Sequence, residues 1–136
     1  ADRLLPGQVE IGFHRNTEMP ELLRSGDLFV HPSIADLESV SVIEGMASGL
    51  VPVIAASSLS AAGQFSLLDE SLFPVEDVAA LAQRIDWWID HPDELSAWGA
   101  RYAEHTRTHY SVEASVRRFV AMEREVIAGR SGARNA

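Results

Sequence analysis

Phe29–Ala55, FVHPSIADLESVSVIEGMASGLVPVIA, is the stretch whose reading decides the fold. Leu28–Val30 is an apolar run suited to a buried strand, and His31-Pro32-Ser33 forms a turn. The spacing predicts a helix from Ser39 to Ser48, stopped by Gly49, and a second buried strand over Val51–Ala55. Strand, helix and strand in that order describe a parallel crossover unit. Ligands of such units gather at the carboxyl end of a strand, beside the helix N-terminus. Two acids bracket that point: Asp36 precedes the helix, and Glu44 stands eight residues later within it. A carboxylate in a mostly apolar helix suits a hydroxyl-rich ligand, whose O–H groups it can accept.

Upstream, Val9–Phe13 is a strand candidate and Met19–Ser25 a short helix, with Asn16 or Thr17 as its cap and Pro20 in its first turn. Downstream, Ser57–Asp69 is rich in small residues and reads as a loop anchored by Phe65. Leu72-Phe73-Pro74 is a last short strand or an extended link. The rest is helical. Val78, Leu81, Ala82, Ile85, Trp88 and Ile89 share one face of a helix over Val78–Asp90. Trp87 falls opposite that face, where an exposed aromatic either stands alone or touches a partner domain or a membrane surface. Pro92 opens a second helix with Leu95, Trp98, Gly99, Tyr102, Ala103 and Thr106 on its apolar side. Ser111 caps a third, with Val112, Val116, Phe119, Val120, Val126 and Ile127 in line and Gly129 as its stop. The expected core line of the central helix is Ile43, Met46, Ala47 and Leu50, which places Glu44 on its shoulder.

The order is therefore β–α–β–α–β followed by helices, an α/β layer with a helical end. Open doubly wound sheets usually carry about five or more strands, so the chain reads as starting partway into a sheet, truncated at its N-terminus. Residues 1–128 form the expected domain and residues 129–136 a disordered tail.

Composition narrows the function. The 136 residues make one domain, and with no Cys the chain can form neither disulfides nor thiolate metal sites, which suits a reducing compartment. No apolar run approaches the roughly 20 residues of a membrane-spanning helix, and the N-terminus does not read as a signal peptide. A formal charge of −9 argues against nucleic acid as a partner. No metal-ligand set, nucleophile elbow or Walker loop is present. His105 and His109, at i, i+4 spacing, are the only pair that merits a zinc titration.

The central stretch resembles the C-terminal half of GT-B-type, nucleotide-sugar-dependent retaining glycosyltransferases. Their hallmark is a strand ending in Pro-Ser, a first acid, seven residues, a Glu, then Ala-Met-Ala-x-Gly-x-Pro-Val. Here it stands as Pro32-Ser33, Asp36, seven residues, Glu44, then Gly45-Met46-Ala47-Ser48-Gly49-Leu50-Val51-Pro52-Val53. GLVPVIA, with the later QFSLLDESLF, is similar to bacterial lipid glycosyltransferases that act on diacylglycerol. The similarity runs from about Met19 to Phe73 and more loosely through the terminal helices.

The resemblance implies a partial Rossmann-like parallel sheet followed by C-terminal helices, in the donor-binding domain of a hexosyltransferase. It implies a nucleotide-diphosphate sugar such as a UDP-sugar as donor substrate, no separate cofactor or required metal, and a lipid or saccharide acceptor. The acceptor-binding N-terminal domain would be supplied in cis or as a separate chain, so the 136-residue chain alone is expected to be inactive. A cytoplasmic location, with peripheral contact at the inner membrane face, fits that role. Glu44 takes the ribose hydroxyls, Asp36 stands at the reacting sugar, and Ser39, Val40 and Ser41 face the diphosphate with the free amides of a helix start. Ser33 approaches the nucleotide or simply makes the turn. The family's first acid is Glu, so Asp36 is one methylene short, and Leu37-Glu38-Ser39 replaces residues that are usually small. Glu38 therefore competes with Asp36 as the sugar contact. Asp36 as a capping acid, Glu44 as a solvated helix acid, and an inactive nucleotide-sugar-binding or interaction module are the bland alternatives. His31, before a proline, reads as structural.

Overall fold

Val51–Ala56, the strand VPVIAA, is buried at every position but its last. A strand covered on both faces reads as a continuous apolar run and not as an alternation, and this one is the middle of a three-stranded parallel sheet. The computed structural model describes residues 11–133. Its main sheet runs β1 (Leu28–His31), β3 (Val51–Ala56), β5 (Leu72–Pro74), all parallel, with Val30 opposite Val53 and Ile54 opposite Leu72. Pairing to β5 begins only at Ile54, so Pro52 needs no ladder donor on that edge of the central strand. A two-residue parallel bridge joins β2 (Ala35–Asp36) to β4 (Leu59–Ser60) and ties the loop after β1 to the loop after β3.

Helix α2 (Val40–Ala47) crosses from β1 to β3. It ends in a Schellman arrangement: Gly49 N–H reaches Met46 O at 3.0 Å and Leu50 N–H reaches Gly45 O at 3.1 Å. Gly49 sits at φ 88°, which explains the stop read from the sequence. The buried face of α2 is Val42, Gly45 and Met46, one step round from the expected line. Ile43 is half-buried and Ala47 exposed. The cause is Phe29 of β1, whose ring lies so close that a Cβ on Gly45 would stand 2.7 Å from it. The glycine turns its bare edge to the strand, and Glu44 is carried to the side away from the sheet.

Three further corrections follow from packing. Ile11–Phe13 form no strand, with Phe13 90% exposed, and Val9 and Glu10 lie outside the described residues. Helix α1 (Met19–Arg24) starts after Glu18 with no side-chain cap from Asn16 or Thr17, although Pro20 does lie in its first turn. The Ser57–Asp69 segment holds β4 and a 3-10 turn at Ala62–Phe65, where Phe65 is the buried anchor.

Helices α3 (Val78–Asp90) and α4 (Pro92–His109) close the core. Asp77 caps α3 by accepting the Ala80 N–H at 2.9 Å. Of α3's apolar face only Trp88 is fully buried, and Val78 and Ile89 are exposed. Trp87 is half-buried, packed on the core with its ring stacked 4.4 Å from His91, so it is no free surface aromatic. Tyr102 of α4 is buried, and its hydroxyl binds Ser71 Oγ at 2.9 Å and accepts the Leu67 N–H at 3.0 Å, fastening α4 to the β5 approach. Helix α5 (Val112–Ala133) is capped by Ser111, whose Oγ accepts the Ala114 N–H at 3.2 Å. It runs past the stop expected at Gly129 and so overlaps the segment read as a tail, while residues 134–136 lie outside the described part. Its apolar line is exposed, and among its residues with described side chains the buried one is Ala114, on the opposite side.

Candidate functional site

The site is built where β1 ends. Its last residue, His31, is followed by Pro32 and by Ser33, whose hydroxyl donates to Ala35 O at 3.0 Å and makes the turn. Ala35–Asp36 then pairs with Leu59–Ser60, and Asp36 O accepts the Ala61 N–H at 2.9 Å. The loop is thus fixed to the neighbouring crossover before it reaches the helix.

Asp36 is the hub of that loop. Its Oδ1 accepts the backbone N–H of Ser39 at 3.0 Å and of Glu38 at 3.3 Å, and its Oδ2 stands 3.1 Å from His31 Nε2. The Ser39 amide above all holds its carboxyl below the usual range. Partial burial opposes this, and the Ser39 hydroxyl, the Glu38 amide and the His31 imidazole add to it. Ser39 caps the helix in the left-handed region at φ 51° and is 2% exposed. Its hydroxyl lies near enough to polarise Asp36, yet no partner meets hydrogen-bond geometry, so the buried Oγ is unsatisfied. His31 Nε2 is likewise buried, and its approach to Asp36 is an ion-pair contact lacking hydrogen-bond alignment. Two orphaned polar atoms therefore flank the start of α2, where the first-turn amides of Val40 and Ser41 have no intrahelical acceptors. A buried polar group without a partner costs about 1–3 kcal/mol, which an incoming polar ligand can recover.

Glu44 lies one turn further along α2. It is exposed, contrary to a carboxylate tucked beside the apolar line, but it opens on two hollows. One, of about 270 Å³, lies between α1 and α2 and is lined by Asn16, Met19, Pro20, Leu23 and Arg24. The other, of about 670 Å³, lies between α2 and α4, with Glu104 and Arg107 on its rim.

The residue pattern of this loop and helix is matched by a family model. Residues 1–105 fit the model described as glycosyl transferases group 1. The chain belongs to that family. No curated protein matches it. Among solved structures it is similar to the crystal structure of the catalytic domain of cholesterol-alpha-glucosyltransferase from Helicobacter pylori. The TM-score is 0.71 at 35% identity over 75% of this chain, and the chain spans 64% of that one. The fold is the C-terminal half of the GT-B arrangement, a parallel α/β sheet followed by helices.

Within this group 1 domain, the structure gathers Asp36, Glu38, Ser39, Val40 and Ser41 at one helix start, with Glu44 a turn beyond and Ser33 behind the loop as a turn residue. Sequence reasoning passed over His31 and the α1 residues Met19, Pro20 and Leu23. The signal for His31 was available: a titratable side chain at the carboxyl end of a strand, five residues before an acid. Away from the site, His105 and His109 stack at 4.2 Å, and His109 Nδ1 contacts the His105 carbonyl at 2.9 Å. Desolvation, and then His109, lowers the pKa of His105. Among the described residues no group of three or more His, Asp or Glu side chains could hold a metal ion, and no helix is long and apolar enough to cross a membrane.

Proposed function

We propose that this chain is the donor-binding half of a retaining glycosyltransferase that takes a nucleoside-diphosphate sugar at the start of α2. The observation that carries the reading is the buried, unsatisfied Ser39 hydroxyl set beside free first-turn amides at the carboxyl end of β1. Amides and helix dipole favour an anion there, and a diphosphate is one of matching size. Glu44 then accepts ribose hydroxyls. The hollow between α1 and α2 suits the base, since Met19, Pro20 and Leu23 offer apolar surface and Asn16 an amide for the base edge. The larger hollow suits a nucleotide less well, because Glu104 shares it with Glu44. Arg107 pairs with Glu104 and holds its carboxyl low, so that cation is already engaged.

In the transfer step, negative charge grows on the departing diphosphate. Amides fixed in place by the Asp36 loop stabilise it without reorganising, which is the most effective form of electrostatic help. No base from this chain is required for that role. The family resemblance supports a UDP-sugar donor, a hexosyl group and retention of configuration. The name of the Helicobacter pylori protein, a glucosyltransferase of cholesterol, supports a lipid acceptor. We assign the acceptor wall to a separate N-terminal domain and the working place to the cytoplasmic side of a membrane. No separate cofactor enters this scheme.

Calorimetry with UDP, GDP and ADP and their hexose derivatives tests the reading. Binding by the wild-type chain that falls at least tenfold in Glu44→Ala is expected. Silence across the whole panel would leave the second reading, an interaction module descended from such enzymes. The internal engagement of Asp36 favours that second reading.

A further inference from the structure

Helix α4 ends on His105-Thr106-Arg107-Thr108-His109, which sets two imidazoles one turn apart on the same face. Their rings face each other, with centroids 4.2 Å apart and planes 22° from parallel. His109 Nδ1 stands 2.9 Å from the His105 carbonyl oxygen. A carbonyl oxygen can only accept, so Nδ1 carries the proton and Nε2 of His109 keeps a bare lone pair. Metal-binding histidines are prepared in the same way: one ring nitrogen donates to a backbone carbonyl, which fixes the ring and its tautomer. The His105 ring makes no hydrogen bond with any described residue, so it is the one that can turn. Both rings line a hollow of about 470 Å³ along α4, with Arg101, Glu104 and Thr108 beside them. That space admits an ion and its waters.

The neighbouring charges decide which ion. Arg101 lies over the Trp98 ring, 4.5 Å from its centroid, and Arg107 is paired with Glu104. Glu104 is engaged by Arg107 through one oxygen and by Thr108 through the other, so it supplies no ligand. Arg117 and Arg118 of α5 share a second hollow with His109, and their charge opposes a cation held by electrostatics alone. Dative bonds to imidazole are less sensitive to that repulsion, which selects zinc, nickel or copper over magnesium or calcium. Bonds of about 2.0–2.1 Å put the two donor nitrogens about 3 Å apart. Rotation of the His105 ring about its broad χ2 brings them there.

We propose that His105 and His109 chelate one divalent zinc, nickel or copper ion across the last turn of α4, with water completing its shell. In zinc hydrolases of the same spacing, a Glu directly after the first His serves as general base. Thr106 fills that place here and is buried, so the pair holds an ion but brings no base to it. The effect is structural. The ion fastens the turn that leads into Tyr110 and Ser111, where α5 begins. Nothing in this assignment depends on the donor site.

Calorimetry and NMR on the untagged 136-residue chain test it, with nickel as the probe. Nickel binds at one ion per chain, and magnesium at the same concentration does not. His105→Gln and His109→Gln each weaken nickel binding by more than the roughly tenfold that an outer-sphere partner is worth, and His14→Gln leaves it unchanged. Nickel raises the melting temperature of the wild-type chain and not that of the double variant. Copper(II) added below one equivalent broadens the amide signals of residues 105–110 before any others, and this map decides the matter even if a variant fails to fold. The assignment is overturned if nickel does not bind, if magnesium binds equally well, or if nickel affinity survives either substitution. Copper broadening that begins around His14, His31 or His91 overturns it as well.

Discussion

Helices α2 and α5 both carry apolar residues at helical spacing, and they use them in opposite ways. The eight residues of α2 bury Val42, Gly45 and Met46 against strands attached at both its ends. The 22 residues of α5 follow α4, and among those whose side chains are described Ala114 is buried while Val116, Phe119 and Val126 are exposed. Periodicity says which side chains share a face. What covers the face is decided by the neighbours that chain connectivity supplies, and α2 has a strand on either side of it.

The sharpest way to break this contrast is to empty one position on α2. Met46 is fully buried in the central cluster. Met46→Ala is expected to cost about 2–5 kcal/mol in urea unfolding. A cost under about 1 kcal/mol would mean the α2 face collapses easily and is no better packed than α5. A second test adds an atom. Gly45→Ala places a methyl against the Phe29 ring, where the built Cβ stands 2.7 Å away. Overpacking of about 1–3 kcal/mol is set against a gain of about 1 kcal/mol in helix propensity, so a net loss near 1 kcal/mol is expected. A net stabilisation would show that Phe29 yields freely and that the rotation of α2 has another cause.

These same residues show what the sequence could and could not tell. The strand–helix–strand unit was legible because Gly49 punctuates it and the Val51–Ala56 run is too apolar for anything but a covered strand. The roll of α2 about its own axis was not, since nothing in the periodicity reveals that Phe29 would press on Gly45. Moving Glu44 from the shoulder to the outer side follows from that single contact. The α3 span and the start of α4 were read to the residue, yet Val78 and Ile89 proved exposed, because a helical face is wider than the stripe a three-stranded sheet can cover. At the site, spacing and resemblance marked out Asp36 through Glu44, but the engagement of Asp36 Oδ1 by the Ser39 and Glu38 amides, with His31 beside Oδ2, depends on loop conformation alone.

Acid sharpens the comparison at the other end of α2. The carboxyl of Asp36 is depressed in the folded chain below its ordinary value of 3.8, chiefly by the Ser39 amide. A depressed acid stabilises the fold fully above its unfolded value and loses that contribution as pH falls through the folded one. The loop should therefore hold from neutrality down to about pH 3.8 and loosen below it. Monitored as exchange of the Ser39 amide, the loosening should be absent in Asp36→Ala, which is loose at every pH. A transition centred well above 3.8 would mean that some other group governs the loop.

The smallest expected effect belongs to α5. Phe119 is 56% exposed and sits on the side of the helix away from Ala114. Phe119→Ser alters a side chain that is more than half exposed, and a surface substitution of this kind changes stability by no more than about 0.5 kcal/mol. Helix propensity shifts little, because Phe and Ser are near equals on that scale. The melting temperature should therefore match wild type within a degree or two and be independent of protein concentration. A fall of several degrees that grows with dilution would show that copies of the chain cover this face for one another in solution. In that event α5 differs from α2 only in where its neighbour comes from, and the apolar spacing of both helices has one explanation.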